Sequence, residues 1–142
     1  ANDDPMPARE HLPDERQSFT HRFTLPGDEE LTVYLTCGMD QDGFLKEIFL
    51  RAAKTGSLVC GLLEGVAVSM SIALQYGVPL TVFTTKFRYT SFEPAGVVQQ
   101  APVELRGDRR FLARSVLDYV AAYLETRFPE GKLVRSKNER SL

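Results

Sequence analysis

The sequence predicts an α+β fold, in which a three-stranded antiparallel sheet packs against a long buried helix and two further helices complete the core. Three observations support this prediction. Apolar and polar residues alternate through much of the segment between residues 18 and 51, as expected for half-buried strands. A long apolar segment then extends from Ser57 to Tyr76. A last segment, Arg109–Phe128, repeats apolar residues at helical spacing.

Three strands are predicted in succession. Ser18–Leu25 alternates apolar residues on one face with polar residues on the other, and Leu31–Thr36 repeats this pattern. Phe44–Arg51 is the third strand, although its periodicity also permits a short helix. Pro26–Asp28 and Asp40–Gly43 are typical turn sequences, because glycine accepts a positive φ at low cost. Consecutive strands joined by short turns predict an antiparallel meander.

The apolar segment is predicted to form one long helix. Ser57 is a candidate N-cap, and Gly77 followed by Pro79 is typical of a helix end. Most faces of the helix carry apolar residues, so we expect protein to surround it on most sides and to leave one narrow small-or-polar stripe. The stripe comprises Ser57, Gly61, Glu64, Val68, Ser71 and Gln75. We expect it to contact either water or a partner.

A membrane span is the alternative interpretation of this segment, because its 20 residues are long enough to cross a bilayer. Glu64 lies near its middle, and glycines and serines dilute its apolar character. A carboxylate at the centre of a bilayer costs about 2.5–3.5 kcal/mol on insertion scales. We therefore expect a helix of a soluble domain and no membrane partner.

Two helices are predicted beyond the long one. Pro79–Tyr89 is the first, since proline suits an initial helical turn. Phe92–Gly96 then forms a turn, and residues 97–107 form a loop. Asp108 is the candidate cap of the final helix, Arg109–Phe128, which ends before a proline.

Composition favours a cytoplasmic protein with one folded domain. The 142 residues are 43% hydrophobic and 25% charged, which are ordinary values for a globular chain. We expect an extended arm (residues 1–17), a single α+β domain (residues 18–129) and a polar tail (residues 130–142). The net charge of −2 provides no basic field for nucleic acid. The acidic, proline-rich start lacks the basic and apolar parts of a signal peptide.

The candidate contact site comprises the approach to the long helix and its polar stripe. Lys54 precedes the helix N-terminus, where free amides and the helix dipole favour an anion, but no P-loop pattern accompanies it. Glu64 would be costly to bury without a partner. The hypothetical partner or anion contacts are Lys54, Ser57, Gly61, Glu64, Ser71 and Gln75. A simple helix cap and a solvated helix face are the alternatives.

No catalytic or metal-binding constellation emerges from the sequence. Cys37 and Cys60 lie 23 residues apart, which is neither a disulfide framework nor a zinc-site spacing. His21 lies on the apolar face of its strand, where a hydrogen-bonded, half-buried histidine is common. No nucleophile, base and oxyanion site assemble, so we assign no catalytic and no metal-binding residue. A small thiol-dependent enzyme is the last of the alternatives.

Several phrases of the sequence occur in the same order in one family. They are Arg9–Ser18, Thr20–Phe23, Asp42–Phe49, Ala53–Ser57, Ile72–Leu80, Phe92–Gly96 and Ala113–Tyr119. Together they resemble the C-terminal accessory region, a TSCPD-type domain, of adenosylcobalamin-dependent (class II) ribonucleotide reductases. The resemblance covers about residues 8–128, and the phrases at Ile72 and Phe92 match almost word for word.

The resemblance implies an accessory domain rather than a complete enzyme. Such reductases perform their radical chemistry in an α/β barrel, which binds adenosylcobalamin, so no cofactor is expected on this chain. Cys37 and Cys60 match none of the family's catalytic positions. The catalytic barrel is the expected partner, and a homo-oligomer is a further option. The domain would assist assembly, positioning of the redox tail or regulation in deoxyribonucleotide synthesis. A related stand-alone protein-binding module is the alternative.

Overall fold

The computed structural model describes residues 7–53 and 56–134, and this part of the chain has the predicted α+β architecture. Three strands form the main sheet: β1 (Ser18–Leu25), β2 (Leu31–Met39) and β3 (Leu45–Ala53). Two short strands form a separate pair: β4 (Gly96–Val97) and β5 (Leu112–Ala113). The helices are α1 (Ser57–Gln75), α2 (Thr81–Phe87), α3 (Val103–Arg106) and α4 (Val116–Arg127).

The main sheet is the predicted antiparallel meander, with strand order β1-β2-β3. Phe23 lies opposite Val33, which in turn lies opposite Ala52, so the apolar sets of all three strands point to one face. β1 has its predicted bounds. β2 continues beyond the predicted end at Thr36, because β1 pairs with it as far as Ser18. The third segment is a strand, and the alternative of a short helix was wrong.

One apolar core lies between the inner face of the sheet and the helices. Tyr119 of α4 reaches over β1 and contacts Phe23 at a ring-centroid distance of 4.4 Å. Both side chains are fully buried. The other buried core residues include Leu25, Leu31, Val33, Leu35, Ile48, Leu50, Leu63, Ala67, Met70, Leu74, Val120 and Leu124. The predicted packing of the long helix on the sheet is confirmed, because α1 packs chiefly on β3.

Helix α1 has the predicted end and a different beginning. Gly77 adopts a φ of 92°, and the Val78 N–H donates to the Ala73 carbonyl oxygen at 3.0 Å. This arrangement is typical of a glycine-terminated helix. Gly56, rather than Ser57, is the N-cap residue. The predicted Ser57 cap was wrong, because Ser57 already belongs to the first helical turn.

Helix α4 begins at Val116, and the predicted start at Arg109 was wrong. Ser115 is the N-cap residue, and its hydroxyl oxygen accepts from the Asp118 N–H at 3.0 Å. A serine followed three residues later by an acidic residue is a capping signature. The residues immediately before Ser115 include β5, which pairs with β4 instead of extending the helix.

A buried carboxylate ties the start of α4 to the end of α2. Asp118 is only 1% exposed. One of its carboxylate oxygens accepts from the Arg88 guanidinium and from the Tyr89 N–H, and the other accepts from the Arg114 N–H at 2.9 Å. These donors supply the partners that a buried negative charge requires. The segment between α2 and α4 is therefore held at both of its ends by one side chain.

Polar contacts fasten both ends of the described chain to the sheet. Residues 7–17 have no helix or strand, and Arg16 forms an ion pair with Glu47 of β3. Beyond α4, the Leu133 N–H donates to the Gly43 carbonyl oxygen at 2.9 Å. The first residues of the predicted polar tail therefore pack beside the β2–β3 turn.

We expect the substitution Asp118→Ala to destabilise the fold by about 3–5 kcal/mol, because it leaves the half-buried Arg88 guanidinium and two backbone N–H groups without their acceptor. The measurement is the free energy of unfolding from urea titration. Asp108→Ala is the matched control, since Asp108 is exposed in the same segment and should change stability by no more than about 0.5 kcal/mol. Equal changes in the free energy of unfolding for the two substitutions would contradict the stabilising role of the Asp118 carboxylate.

Candidate functional site

Helix α1 covers the free edge of β3. An edge strand has backbone groups that no neighbouring strand pairs. The Ser71 hydroxyl oxygen accepts from the Ile48 N–H at 2.8 Å, and the same hydroxyl lies 3.1 Å from the Ile48 carbonyl oxygen. The Gln75 side-chain amide donates to the Lys46 carbonyl oxygen at 3.0 Å. Polar side chains of α1 thus supply partners for the edge of the sheet.

The structure divides the predicted contact residues into two groups. Ser71 and Gln75 face β3, where their polar atoms are engaged. Ser57, Gly61 and Glu64 are exposed, so a partner contact there stays a prediction. The stripe is therefore not one continuous free surface, because the polar side chains in its C-terminal half are hydrogen-bonded to the edge of β3. The remaining predicted contact, Lys54, lies outside the described residues.

The side of α1 that is not packed on the sheet is an exposed apolar face, which we call the outer face and which includes Gly61 and Val68 of the predicted stripe. Its large side chains are Leu58, Leu62, Val68 and Ile72, which are 73%, 63%, 52% and 37% exposed. Between them lie three small residues, Gly61, Gly65 and Ser69, which are also exposed. An exposed apolar area on a folded domain indicates a contact site for another molecule.

The outer face corrects the prediction that protein surrounds α1 on most sides. Only Leu63, Ala67, Met70, Leu74 and Gln75 of this helix are buried. The prediction counted Leu58, Leu62 and Ile72 among its packed residues, and these were therefore missed as candidate contact residues. A helix that packs on a single strand buries one side only, and the hydrophobicity of a residue does not tell whether an element of its own chain covers it.

His21 belongs to an aromatic cluster between β1 and α4. Its Nε2 atom lies 2.7 Å from the Tyr119 hydroxyl oxygen, and its ring stacks on Tyr123 at a centroid distance of 4.2 Å. Burial and, to a lesser extent, the nearby Arg127 charge lower the pKa of His21 to about 4. The ring is therefore neutral at pH 7, and the predicted hydrogen-bonded, half-buried histidine is confirmed.

The two cysteines do not form a reactive pair. Cys37 is fully buried in β2, and burial raises the pKa of its thiol to about 12. The Cys60 thiol lies 3.7 Å from the Ala52 carbonyl oxygen, on the side of α1 that faces β3. Both thiols are free of disulfide bonds. A thiolate nucleophile at Cys37 is thus disfavoured by its surroundings.

Acidic side chains line one open groove among residues 7–53 and 56–134. In these ranges no three His, Cys, Asp or Glu residues are grouped so that they could hold a metal ion. An open groove of about 680 Å³ is lined by Asp28, Glu29 and Glu93. Three carboxylates do not fit the phosphate and the large corrin ring of adenosylcobalamin. This groove therefore does not fit that cofactor.

Helix α1 is also long and apolar enough to cross a membrane, by length and composition alone. The described part of the chain has one such helix. Its bonds from Ser71 and Gln75 to β3 fix it against the sheet. We therefore treat the outer face as a surface of a folded domain.

The chain is similar to known proteins over most of its length. The TSCPD domain family matches residues 6–128. The vitamin B12-dependent ribonucleotide reductase of Rhodopirellula baltica is 42% identical over 125 residues, which are 88% of this chain and 11% of that protein. The proteins of the same name from Streptantibioticus cattleyicolor and Agrobacterium fabrum are 36% and 40% identical over 114 and 112 residues.

The matched region is a small part of each of these relatives. It covers 80% of this chain and 17% of the Streptantibioticus protein, and 79% of this chain and 8% of the Agrobacterium protein. The chain thus spans far less than half the length of the relatives that it matches. No solved structure matches the chain significantly.

The bonds from α1 to the edge of β3 predict a stability effect at Ser71. Ser71→Ala should lower the free energy of unfolding by about 1–3 kcal/mol, because it leaves two backbone groups of Ile48 without their partner. Urea titration measures this change. Ser69→Ala is the matched control, since the exposed Ser69 hydroxyl donates to the Gly65 carbonyl oxygen of its own helix. An unchanged free energy of unfolding in Ser71→Ala would contradict the role of Ser71 as the partner of the Ile48 backbone.

The pKa of His21 predicts an acid-sensitive fold. The folded-state pKa of about 4 lies below the ordinary value of 6.5, so the unfolded chain binds more protons between these pH values. The free energy of unfolding should therefore fall as the pH is lowered from about 6.5 to about 4. The expected loss is on the order of 2 kcal/mol, since one pKa unit is worth about 1.4 kcal/mol and partial exposure weakens the effect.

The control for this pH dependence is His21→Gln, which keeps a polar partner for Tyr119 and does not titrate. Subtracting its pH profile of unfolding free energy from that of the wild type removes the contribution of the carboxylates. A difference profile that is flat between pH 4 and pH 6.5 would show that burial does not shift the pKa of His21.

Proposed function

Because the chain belongs to the TSCPD domain family, we propose that it is a non-catalytic accessory domain of a vitamin B12-dependent ribonucleotide reductase. The relatives that carry this name match the chain over most of its residues. Since the match covers only 11% of the Rhodopirellula protein, most of the length of that protein lies outside the shared region. The reaction that the name describes is assigned to that remainder.

The observation that supports an accessory role is the outer face of α1. Leu58, Leu62 and Val68 are more than half exposed on a helix whose other side is packed on the sheet. Exposed apolar side chains of this size are stabilised when a protein partner removes them from water. This exposed face supports a docking role.

The specific role that we propose is assembly of the parent enzyme. A docking face serves assembly directly, whereas positioning of a redox tail or regulation would need further features on the domain. Adenosylcobalamin would bind in the catalytic barrel, which would be the functional partner of this domain. The setting would be the cytoplasm, where deoxyribonucleotides are made.

The proposal predicts that the domain is needed by the enzyme and is inactive alone. The matching segment of the Rhodopirellula reductase is deleted in one variant and replaced by this chain in another. We expect the deletion to lower ribonucleotide reduction at least severalfold or to impair assembly, and the replacement to restore both. The chain alone, with adenosylcobalamin and a thiol reductant, should show no turnover. The measurements are the rate of deoxyribonucleotide formation and the mass of the assembled reductase.

A matched control addresses the cysteines. A replacement that carries Cys60→Ser should restore turnover as well as the unaltered chain does, because we assign no redox role to this thiol. A deletion that leaves both turnover and assembly unchanged would exclude the accessory role and would favour a stand-alone binding module. Turnover by the chain alone would exclude a non-catalytic domain.

A further inference from the structure

We propose that the outer face of α1 binds the same face of a second copy of this chain, in an antiparallel helix pair with twofold symmetry. The inference rests on the proposed accessory role, because it names the partner through which the domain would assemble its enzyme. It is argued from the arrangement of large and small residues along α1.

The outer face is symmetric about Gly65. The large Leu62 and Val68 lie three residues before and after it, and the small Gly61 and Ser69 lie four residues before and after it. A second pair of large residues, Leu58 and Ile72, lies seven residues away on either side. At 3.6 residues per turn all of these positions fall on one side of the helix.

This pattern is self-complementary when two copies run antiparallel and the twofold axis passes beside Gly65. Helical geometry then brings Leu62 of one copy opposite Ser69 of the other, and Val68 opposite Gly61. Leu62 and Val68 therefore each meet a small residue, whereas Leu58 lies opposite Ile72 of the other copy at the two ends of the contact. An isologous interface requires such a match of a surface with itself.

The two glycines have no evident purpose within the chain. A Cβ atom added to Gly61 or Gly65 would meet no other atom within 4 Å, and neither glycine has a positive φ. Glycine is less favourable than alanine in a helix interior, so these positions weaken α1 without an internal benefit. Close approach of a second helix gives both glycines a function, because small residues allow helix axes to come near each other.

Charge lies only at the rim of this pairing. The only charged residue of α1 is Glu64. Glu64 lines a groove beside β3 together with Val68 of the outer face, so it lies at the margin of that face, where it is exposed. Water screens charges at an exposed rim, so the two copies of Glu64 weaken the contact only slightly.

Analytical ultracentrifugation of the purified chain tests the proposal. We expect a species of twice 15.9 kDa at micromolar concentrations and above. Leu62→Asp and Gly65→Leu should each reduce association at least tenfold. Gly65→Leu also raises helix propensity, so a loss of pairing in this variant cannot be attributed to unfolding of α1. Leu112→Asp is the matched control, because Leu112 is 67% exposed on β5 and its substitution should leave the dimer intact.

Disulfide trapping tests the direction of the pair. In a Cys60→Ser background, Gly65→Cys should cross-link to itself, since the twofold axis brings the two copies of this residue within disulfide reach. Leu58→Cys should not cross-link to itself, and should cross-link to a copy that carries Ile72→Cys. Self-linkage of Leu58→Cys would indicate parallel helices and would overturn the antiparallel arrangement.

A wild-type chain that is monomeric at all concentrations up to several hundred micromolar would overturn the proposal. Binding of a monomer to the catalytic part of a reductase, lost on Leu62→Asp, would assign the face to that partner and would also overturn it. Neither result affects the accessory role, which fails if deletion of the domain leaves the enzyme unchanged or if the chain alone shows turnover. The two proposals therefore fail by different measurements.

Discussion

The structure depends on the closure of the free edge of β3 by helix α1. The edge strand of a three-stranded sheet leaves backbone groups that must find partners. Ser71 and Gln75 provide these partners to Ile48 and Lys46. Because these side chains lie on one side of α1, they fix the rotation of the helix about its axis. Leu58, Leu62 and Ile72 are then directed away from the sheet.

This constraint connects stability to function. Ser71 and Gln75 of α1 are bonded to the sheet, and the large side chains that α1 leaves exposed are apolar. The exposed apolar face breaks no contact inside the domain. Covering it with another molecule lowers the free energy, because apolar surface is then removed from water. The same interaction that completes the sheet thus creates the surface on which the proposed assembly role depends.

Much of the fold was accessible from the sequence because its signals are local. The alternation in Ser18–Leu25 predicts the bounds of β1, and Gly77 predicts the end of α1. The start of α4 was wrong because helical spacing extends through Phe111, whereas the cap at Ser115 determines the helix. The partners of Asp118 could not be predicted, since Arg88 lies 30 residues away and only the fold brings the two together.

The candidate site was predicted only in part, for a physical reason. Leu58 and Leu62 are leucines like Leu63, which is buried, so hydrophobicity alone does not tell which of them is exposed. Only the packing of α1 on one strand distinguishes them. The phrases that resemble the reductase family identified the domain, because ordered matches do not depend on which residues are covered. The surface that the domain uses follows from the packing and not from the resemblance.

Hydroxyl-radical footprinting tests most directly whether the outer face is a protein contact. The Rhodopirellula reductase that carries this chain is compared with the isolated chain, which is diluted until it sediments as a monomer. The account predicts that Leu58, Leu62 and Ile72 are strongly protected in the assembled enzyme. Oxidation of these residues to the same extent in the enzyme and in the monomer would contradict it.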